Sequence, residues 1–326
     1  MNPLISEKQR LVSHVLPLLW QRLEACDLCP RACGANRLAG EQGFCCLSGD
    51  WLPVASYCVH RGEEPAISGR NGSGTIFFGH CNLGCVFCQN HQISDNTLAV
   101  DESLMSVDDL AAVMRVLQSM GCHNINFVTP THVLPHIIAA LEIALKQGLK
   151  IPLVYNCGGY EKTEIIRMLD GIMDIYLPDM KYMDAALAGR FSHAGDYPRA
   201  ASAAVREMFR QTGSQLEIDP ETGTARRGLI IRHLVLPGGV ENSLAVLDFI
   251  AAELSPAVHL SLMSQYHPTP GALQSGSPLD RTLERDEYEA VRIRAEAMGF
   301  ENGWFQDMQS HRIYRPDFRK EHPFED

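Results

Sequence analysis

No stretch of this 326-residue sequence is apolar for long enough to form a signal peptide or cross a membrane. Its opening, MNPLISEKQRLVSHVLPLLWQRLEACDLCP, mixes charged and apolar positions throughout. A cytoplasmic protein with no membrane partner is therefore expected. Basic runs are missing too: 28 Lys and Arg stand against 39 Asp and Glu, a net charge of −11. A nucleic-acid groove needs a concentrated basic patch, so no nucleic-acid partner is expected. There is also no internal repeat and no low-complexity tract. What remains is the composition of a globular protein, 45% hydrophobic with a mean hydropathy of −0.09. The length suffices for one large domain, or one domain with a small appendage.

Cysteine breaks this ordinary pattern. Nine of the eleven cysteines fall between Cys26 and Cys88, and Cys122 and Cys157 stand apart. The cytosol keeps thiols reduced, so clustered cysteines there point to metal ligation or catalysis before disulfides.

From about residue 74 the pattern alternates strand and helix. Thr75-Ile76-Phe77-Phe78 is a short apolar run, and Ser106 caps a helix whose apolar positions Leu110, Val113, Met114 and Leu117 follow helical spacing. Further strands are expected at Ile125 to Thr129, Ile151 to Tyr155, Ile172 to Leu177, Leu229 to Leu236 and His259 to Met263, with helices between them. Six strands in right-handed βα units argue for a parallel sheet. Polar residues collect after these strands, as in Thr129-Pro130-Thr131-His132, Asn156-Cys157-Gly158-Gly159, Asp179-Met180-Lys181 and Gln265-Tyr266-His267. In parallel α/β architectures such strand ends build the ligand site. Pro268 to Asp280, rich in Pro, Gly and Ser, reads as a long loop and a candidate lid. Trp304-Phe305 reads as a packed cap.

The segment GHCNLGCVFCQN sets Cys81, Cys85 and Cys88 at C-x3-C-x2-C. Three thiolates this close can bind three of the four irons of a cubane cluster, leaving the fourth iron for a substrate or cofactor. Structural zinc wants a closed set of four ligands, for which His80 or His91 would have to serve. Phe87 supplies an aromatic residue just before the third cysteine.

GSGTIFFGHCNLGCVFCQN and the upstream CDLCPRACGANRLAGEQGFC together resemble the radical S-adenosylmethionine (SAM) superfamily. Within it they resemble the uncharacterised iron–sulfur proteins related to the pyruvate formate-lyase activating enzyme. That resemblance, which covers nearly the whole chain, implies an α/β fold, a partial (β/α)6 TIM-like barrel with a [4Fe–4S] cluster in the loop after the first strand. It further implies SAM on the unique iron, reductive cleavage to methionine and a 5′-deoxyadenosyl radical, and hydrogen abstraction by that radical. Asp179 and Lys181 resemble the family's Asp-x-Lys at a strand end, and Tyr266-His267 its Tyr-His beside SAM. Arg232 resembles a strand arginine that pairs with the SAM carboxylate, and Asn156 and Gly158 stand at an Asn-Gly type turn near the ribose or methionine. Asp179 with Lys181 also reads as a plain ion pair, His267 as a satisfied loop histidine, and Arg232 as the partner of a nearby acid. One departure is plain: the family's Gly-Gly-Glu segment is replaced by Thr129-Pro130-Thr131-His132, where backbone carbonyls and the Thr129 and Thr131 hydroxyls would have to hold the SAM amino group.

Cys26, Cys29, Cys33 and Cys45 form a second set, C-x2-C-x3-C-x11-C, suited to structural zinc or to a second iron–sulfur cluster, with Cys46 able to replace Cys45; the set also reads as simply buried thiols. His60, Glu63 and Glu64 read either as site or partner contacts or as a charged connecting loop. Residues 1–70 are thus expected to form an N-terminal helix and cysteine-rich metal-binding segment, and residues 71–326 a partial barrel with a C-terminal cap. The expected function is radical SAM chemistry that activates a glycyl-radical enzyme, with a flavodoxin or ferredoxin type electron donor. The alternatives are modification of a small molecule or another peptide, and a non-catalytic iron–sulfur or zinc module.

Overall fold

The computed structural model describes residues 3–98, 104–308, 310, 315–320 and 323–324. Helix α1 (Pro3–Gln21) leads through the cysteine-rich segment to β1 (Val54–His60) and the short α2 (Pro65–Ser68). Then follow β2 (Ser73–Phe78), α3 (His91–Ser94), α4 (Val107–Ser119), β3 (Ile125–Val128), α5 (Leu134–Lys146), β4 (Leu153–Cys157), α6 (Thr163–Met168) and β5 (Ile175–Pro178). The second half continues with α7 (Ala185–Ser192), α8 (Tyr197–Thr212), β6 (Glu217–Ile218), β7 (Ala225–Leu234), α9 (Val240–Glu253), β8 (His259–Met263), α10 (Pro270–Ser275), α11 (Arg285–Ala297) and β9 (Gly303–Phe305).

The sheet runs β1-β2-β3-β4-β5-β7-β8-β9. Every step from β2 to β9 is parallel, β1 lies antiparallel on β2, and β6 lies antiparallel on β7. It is mixed α/β and not closed into a barrel, as a partial TIM-like fold requires. Central strands of a parallel sheet are covered on both faces. Accordingly β2, β3, β4 and β5 are buried at every position.

All six expected strands are present, with helices between them. Ser106 caps α4 as its sequence implied, accepting from the Asp109 N–H at 3.1 Å. Three features differ from the sequence reading. The segment holding Cys58 forms the edge strand β1, paired antiparallel with β2. Pro268 to Asp280 contains α10, capped by Thr269, whose hydroxyl accepts from the Ala272 N–H. Trp304 and Phe305 extend the sheet as β9. Helix α1 is held by packing: Val12, Val15 and Leu19 are buried in the same core as Ile137, Ile138 and Leu141 of α5. Truncating such a residue, as in Leu141→Ala, costs about 2–5 kcal/mol.

Candidate active site

The loop after β2 carries the three-cysteine motif. Its turn is unusual, for His80 adopts φ 63°, a left-handed conformation rare outside glycine. Asn96 clamps the loop: Oδ1 accepts the Cys81 N–H at 2.9 Å and Nδ2 donates to the Cys81 and Phe44 carbonyls. Each of the three sulfurs receives a hydrogen bond. Leu83 N–H donates to Cys81 Sγ at 3.3 Å, the Ser192 hydroxyl to Cys85 Sγ at 2.9 Å, and the Ser94 hydroxyl to Cys88 Sγ at 3.1 Å. Burial pushes the Cys81 thiol up, and that of Cys85 up to about 11. Metal coordination reverses that preference by holding thiolates, and donors aimed at sulfur are the outer partners such ligands need. Among the described residues no three His, Cys, Asp or Glu converge on a single ion. A cubane asks for something else, one thiolate on each of three irons, so the donor set fits a cluster.

All three cysteines line one cavity of about 400 Å³ at the C-terminal ends of the parallel strands. Phe87, Thr129, Asn156, Gly158, Asp179, Lys181 and Arg232 line it too. Thr129 adopts φ 59°, a left-handed conformation strained for a β-branched residue. Asp179 and Lys181 form an ion pair inside the cavity. Burial opposes the Lys181 charge, but Asp179 and then Cys85 hold its amine above the ordinary lysine range. The Tyr197 hydroxyl ties these strand ends together. It accepts the Lys181 N–H at 3.0 Å and lies 2.9 Å from the Gly158 and 2.8 Å from the Asp179 carbonyl oxygens. Next to it, a Cβ on Gly159 would stand 2.1 Å from the Asp179 carbonyl oxygen, and φ is 79°, so only glycine fits.

Arg232 is engaged within the protein. Its Nε donates to Glu64 Oε1 at 2.8 Å and Nη2 to Glu64 Oε2 at 2.7 Å, while Nη2 also pairs with Glu63. Nη1 reaches Asn156 Oδ1 at 3.4 Å. Burial opposes the Arg232 charge, but Glu63 and Glu64 keep Arg232 protonated; burial also opposes the Glu64 carboxylate, but Arg232 holds that carboxyl below its ordinary range. Glu63 and Glu64 line the cavity, as does His60. The two acids are thus cavity-lining partners of Arg232 rather than a solvent-exposed connecting loop, and their adjacent placement ahead of α2 is the sequence signal for them.

Two candidates stand away from the cavity lining. Thr131 sits in a 3₁₀ turn with its hydroxyl donating to Glu161 Oε1 at 2.6 Å, and Tyr155 donates to the other Glu161 oxygen at 3.0 Å. Burial pushes the Glu161 carboxyl up to about 7. His267 follows Gln265, which does line the cavity, but His267 is not part of that wall. His132 also turns away, its Nε2 2.7 Å from the Gly79 carbonyl oxygen.

Cys26, Cys29, Cys33 and Cys45 surround a second, small void of about 10 Å³. Cys46 does not line it. The two cysteine sets lie back to back: Asn82, next to Cys81, lines the small void, and His80 Nδ1 is 2.8 Å from the Cys45 carbonyl oxygen. Arg31, between Cys29 and Cys33, donates to the Asn82 carbonyl at 3.0 Å and lies over the Phe44 ring at 3.7 Å.

An open parallel sheet bearing three hydrogen-bonded thiols in a strand-end cavity defines a cluster-binding α/β protein. Residues 75–248 match the radical SAM superfamily. An uncharacterized protein of Methanocaldococcus jannaschii is 30% identical over 302 residues, covering 90% of this chain and 81% of that one. A solved structure, native anSMEcpe with bound AdoMet, aligns with a TM-score of 0.47 at 14% identity; the alignment covers 73% of this chain and 60% of that chain's length. The chain belongs to the radical SAM superfamily, and membership implies a radical SAM enzyme with a [4Fe–4S] cluster and SAM. No helix among the described residues is long and apolar enough to cross a membrane.

Proposed function

We propose that this enzyme abstracts a hydrogen atom from a backbone glycine of a partner protein, activating a glycyl-radical enzyme. When bound, the cluster and SAM supply one-electron reductive cleavage of SAM to methionine and a 5′-deoxyadenosyl radical. Cys81, Cys85 and Cys88 would hold the cluster, and Leu83, Ser192 and Ser94 steady their sulfurs. Asn156, Gly158 and Thr129 offer polar backbone and side-chain groups to SAM, while Phe87 and the neighbouring aromatic wall exclude water. Asp179 and Lys181 bring one acceptor group and one donor group to the cavity, a pair suited to orienting a peptide backbone.

The cavity's size carries this reading. About 400 Å³ is at the small end of ligand pockets, so with SAM in place little room is left for a second free molecule. An extended glycine segment needs only backbone width. A flavodoxin or ferredoxin type donor would supply the electron. The test is anaerobic incubation of the loaded enzyme with a candidate partner, SAM and reductant. A glycyl-radical EPR signal on the partner supports the proposal, and SAM turnover without that signal on any glycyl-radical candidate counts against it. In the second case the substrate is a small molecule or another peptide.

A further inference from the structure

The void among Cys26, Cys29, Cys33 and Cys45 plays no part in the chemistry above. Arg37 lines it as well. This side chain is 1% exposed and heads the largest fully buried side chains among the described residues. Its Nη1 donates to the His132 carbonyl oxygen at 2.8 Å and Nη2 to the Ser48 carbonyl oxygen at 3.3 Å, while Nε has no partner. Both acceptors are neutral. Asp27, in the same cysteine segment, is committed to Arg22 and Lys162.

A guanidinium stays protonated under all ordinary conditions, and an unbalanced cation in a protein interior is costly. Neutral thiols cannot balance it. Four thiolates on a zinc ion or on an oxidised [4Fe–4S] core leave a dianion, and coordination is what deprotonates thiols near neutral pH. Four thiols around one void and, beside them, a buried cation bonded only to neutral carbonyls and paired with no carboxylate among the described residues are thus independent observations with one explanation. We infer that Cys26, Cys29, Cys33 and Cys45 form a tetrathiolate metal centre, with Arg37 as its buried counter-ion. The local backbone agrees: a Cβ on Gly43 would stand 2.3 Å from Cys33 Sγ, so a bare backbone gives that thiol room. The thiols flank the void without converging on one point. A zinc ion draws them in on binding, whereas a cluster takes them on separate irons.

The test uses the full chain with Cys81→Ala, Cys85→Ala and Cys88→Ala combined, which removes the radical SAM cluster and makes the result independent of the proposed activity. After anaerobic loading with iron and sulfide, or with zinc in parallel, about one zinc or about four irons per chain should survive desalting. Adding Cys33→Ser, at the exposed thiol of the set, should weaken retention at least tenfold. Neither metal above trace in a triple variant that is folded by circular dichroism overturns the centre. If the triple variant does not fold, Cys33→Ser in the otherwise intact chain must lose one increment of metal, and an unchanged total overturns it. Arg37→Leu should weaken metal binding tenfold or more, and Arg37→Lys should recover part of that loss. A merely structural arginine would lower the melting temperature of loaded and metal-free protein alike without changing the affinity, and that result overturns the counter-ion role.

Discussion

The Ser192 hydroxyl donates to Cys85 Sγ across 2.9 Å, and the Tyr182 hydroxyl lies 2.8 Å behind it. Hydrogen bonds to a cluster's sulfurs stabilise its more negative, reduced state. Ser192→Ala should therefore leave iron content unchanged and lower the cluster's reduction potential. If the bond differs by about 1 kcal/mol between the two states, the shift is ~40 mV. An EPR-monitored redox titration reads it, and an unchanged or raised potential refutes the assignment.

Arg232 neutralises two buried carboxylates at once. Arg232→Met leaves Glu63 and Glu64 without their cation, and removing one partner of a buried pair typically costs about 3–5 kcal/mol. Denaturant unfolding at pH 7 should show that loss. Glu64 is held below its ordinary range in the folded protein, so the pair's contribution is full above the unfolded carboxylate pKa and fades as pH falls below it. Wild type and variant should therefore converge in acid.

Glu161 has the opposite sign. Burial raises its folded pKa to about 7, above the unfolded value of about 4.5, so ionisation penalises the fold at and above neutrality. The penalty is relieved as pH falls from 7 towards 4.5. Glu161→Gln should accordingly gain on the wild type above pH 7, by at most ~3 kcal/mol, and the gap should close by pH 4.5. A gap that is flat with pH contradicts a protonated buried carboxyl.

Lys181→Met removes the cation of the cavity's ion pair while leaving Tyr197 its bond to the residue 181 backbone N–H. Iron content should be kept. Loss of a positioning contact at the reacting centre should lower the rate of hydrogen abstraction by about 10²-fold or more. Separate assays of SAM cleavage and of product formation check whether the loss falls on the second.

The strand framework was legible because parallel βα units impose an apolar strand, a helix of 3.6-residue period and a polar strand end, a rhythm that the stretch from Ile76 to Met263 keeps. That rhythm placed Asn156, Asp179 and Lys181 correctly at one end of the sheet. It said nothing about direction within a turn, which is why Thr131 and His267 were grouped with the cavity although Thr131 bonds Glu161 and His267 lies outside the wall. The partners of Arg232 lie 168 and 169 residues away in sequence, beyond any local pattern. Arg37 gave no signal at all: its chemistry comes from burial, which a polar loop sequence does not announce. Trp304 and Phe305 were hidden for a related reason, since a three-residue edge strand is too short for periodicity to mark.

The central claim is that the Cys81, Cys85 and Cys88 cavity performs reductive SAM cleavage. Anaerobic reconstitution, reduction with dithionite and addition of SAM, with 5′-deoxyadenosine measured by chromatography, tests it directly. The account predicts stoichiometric or greater release from the wild type and none from Cys85→Ala. A fully assembled cluster, verified by iron and sulfide analysis, that releases no 5′-deoxyadenosine would contradict it.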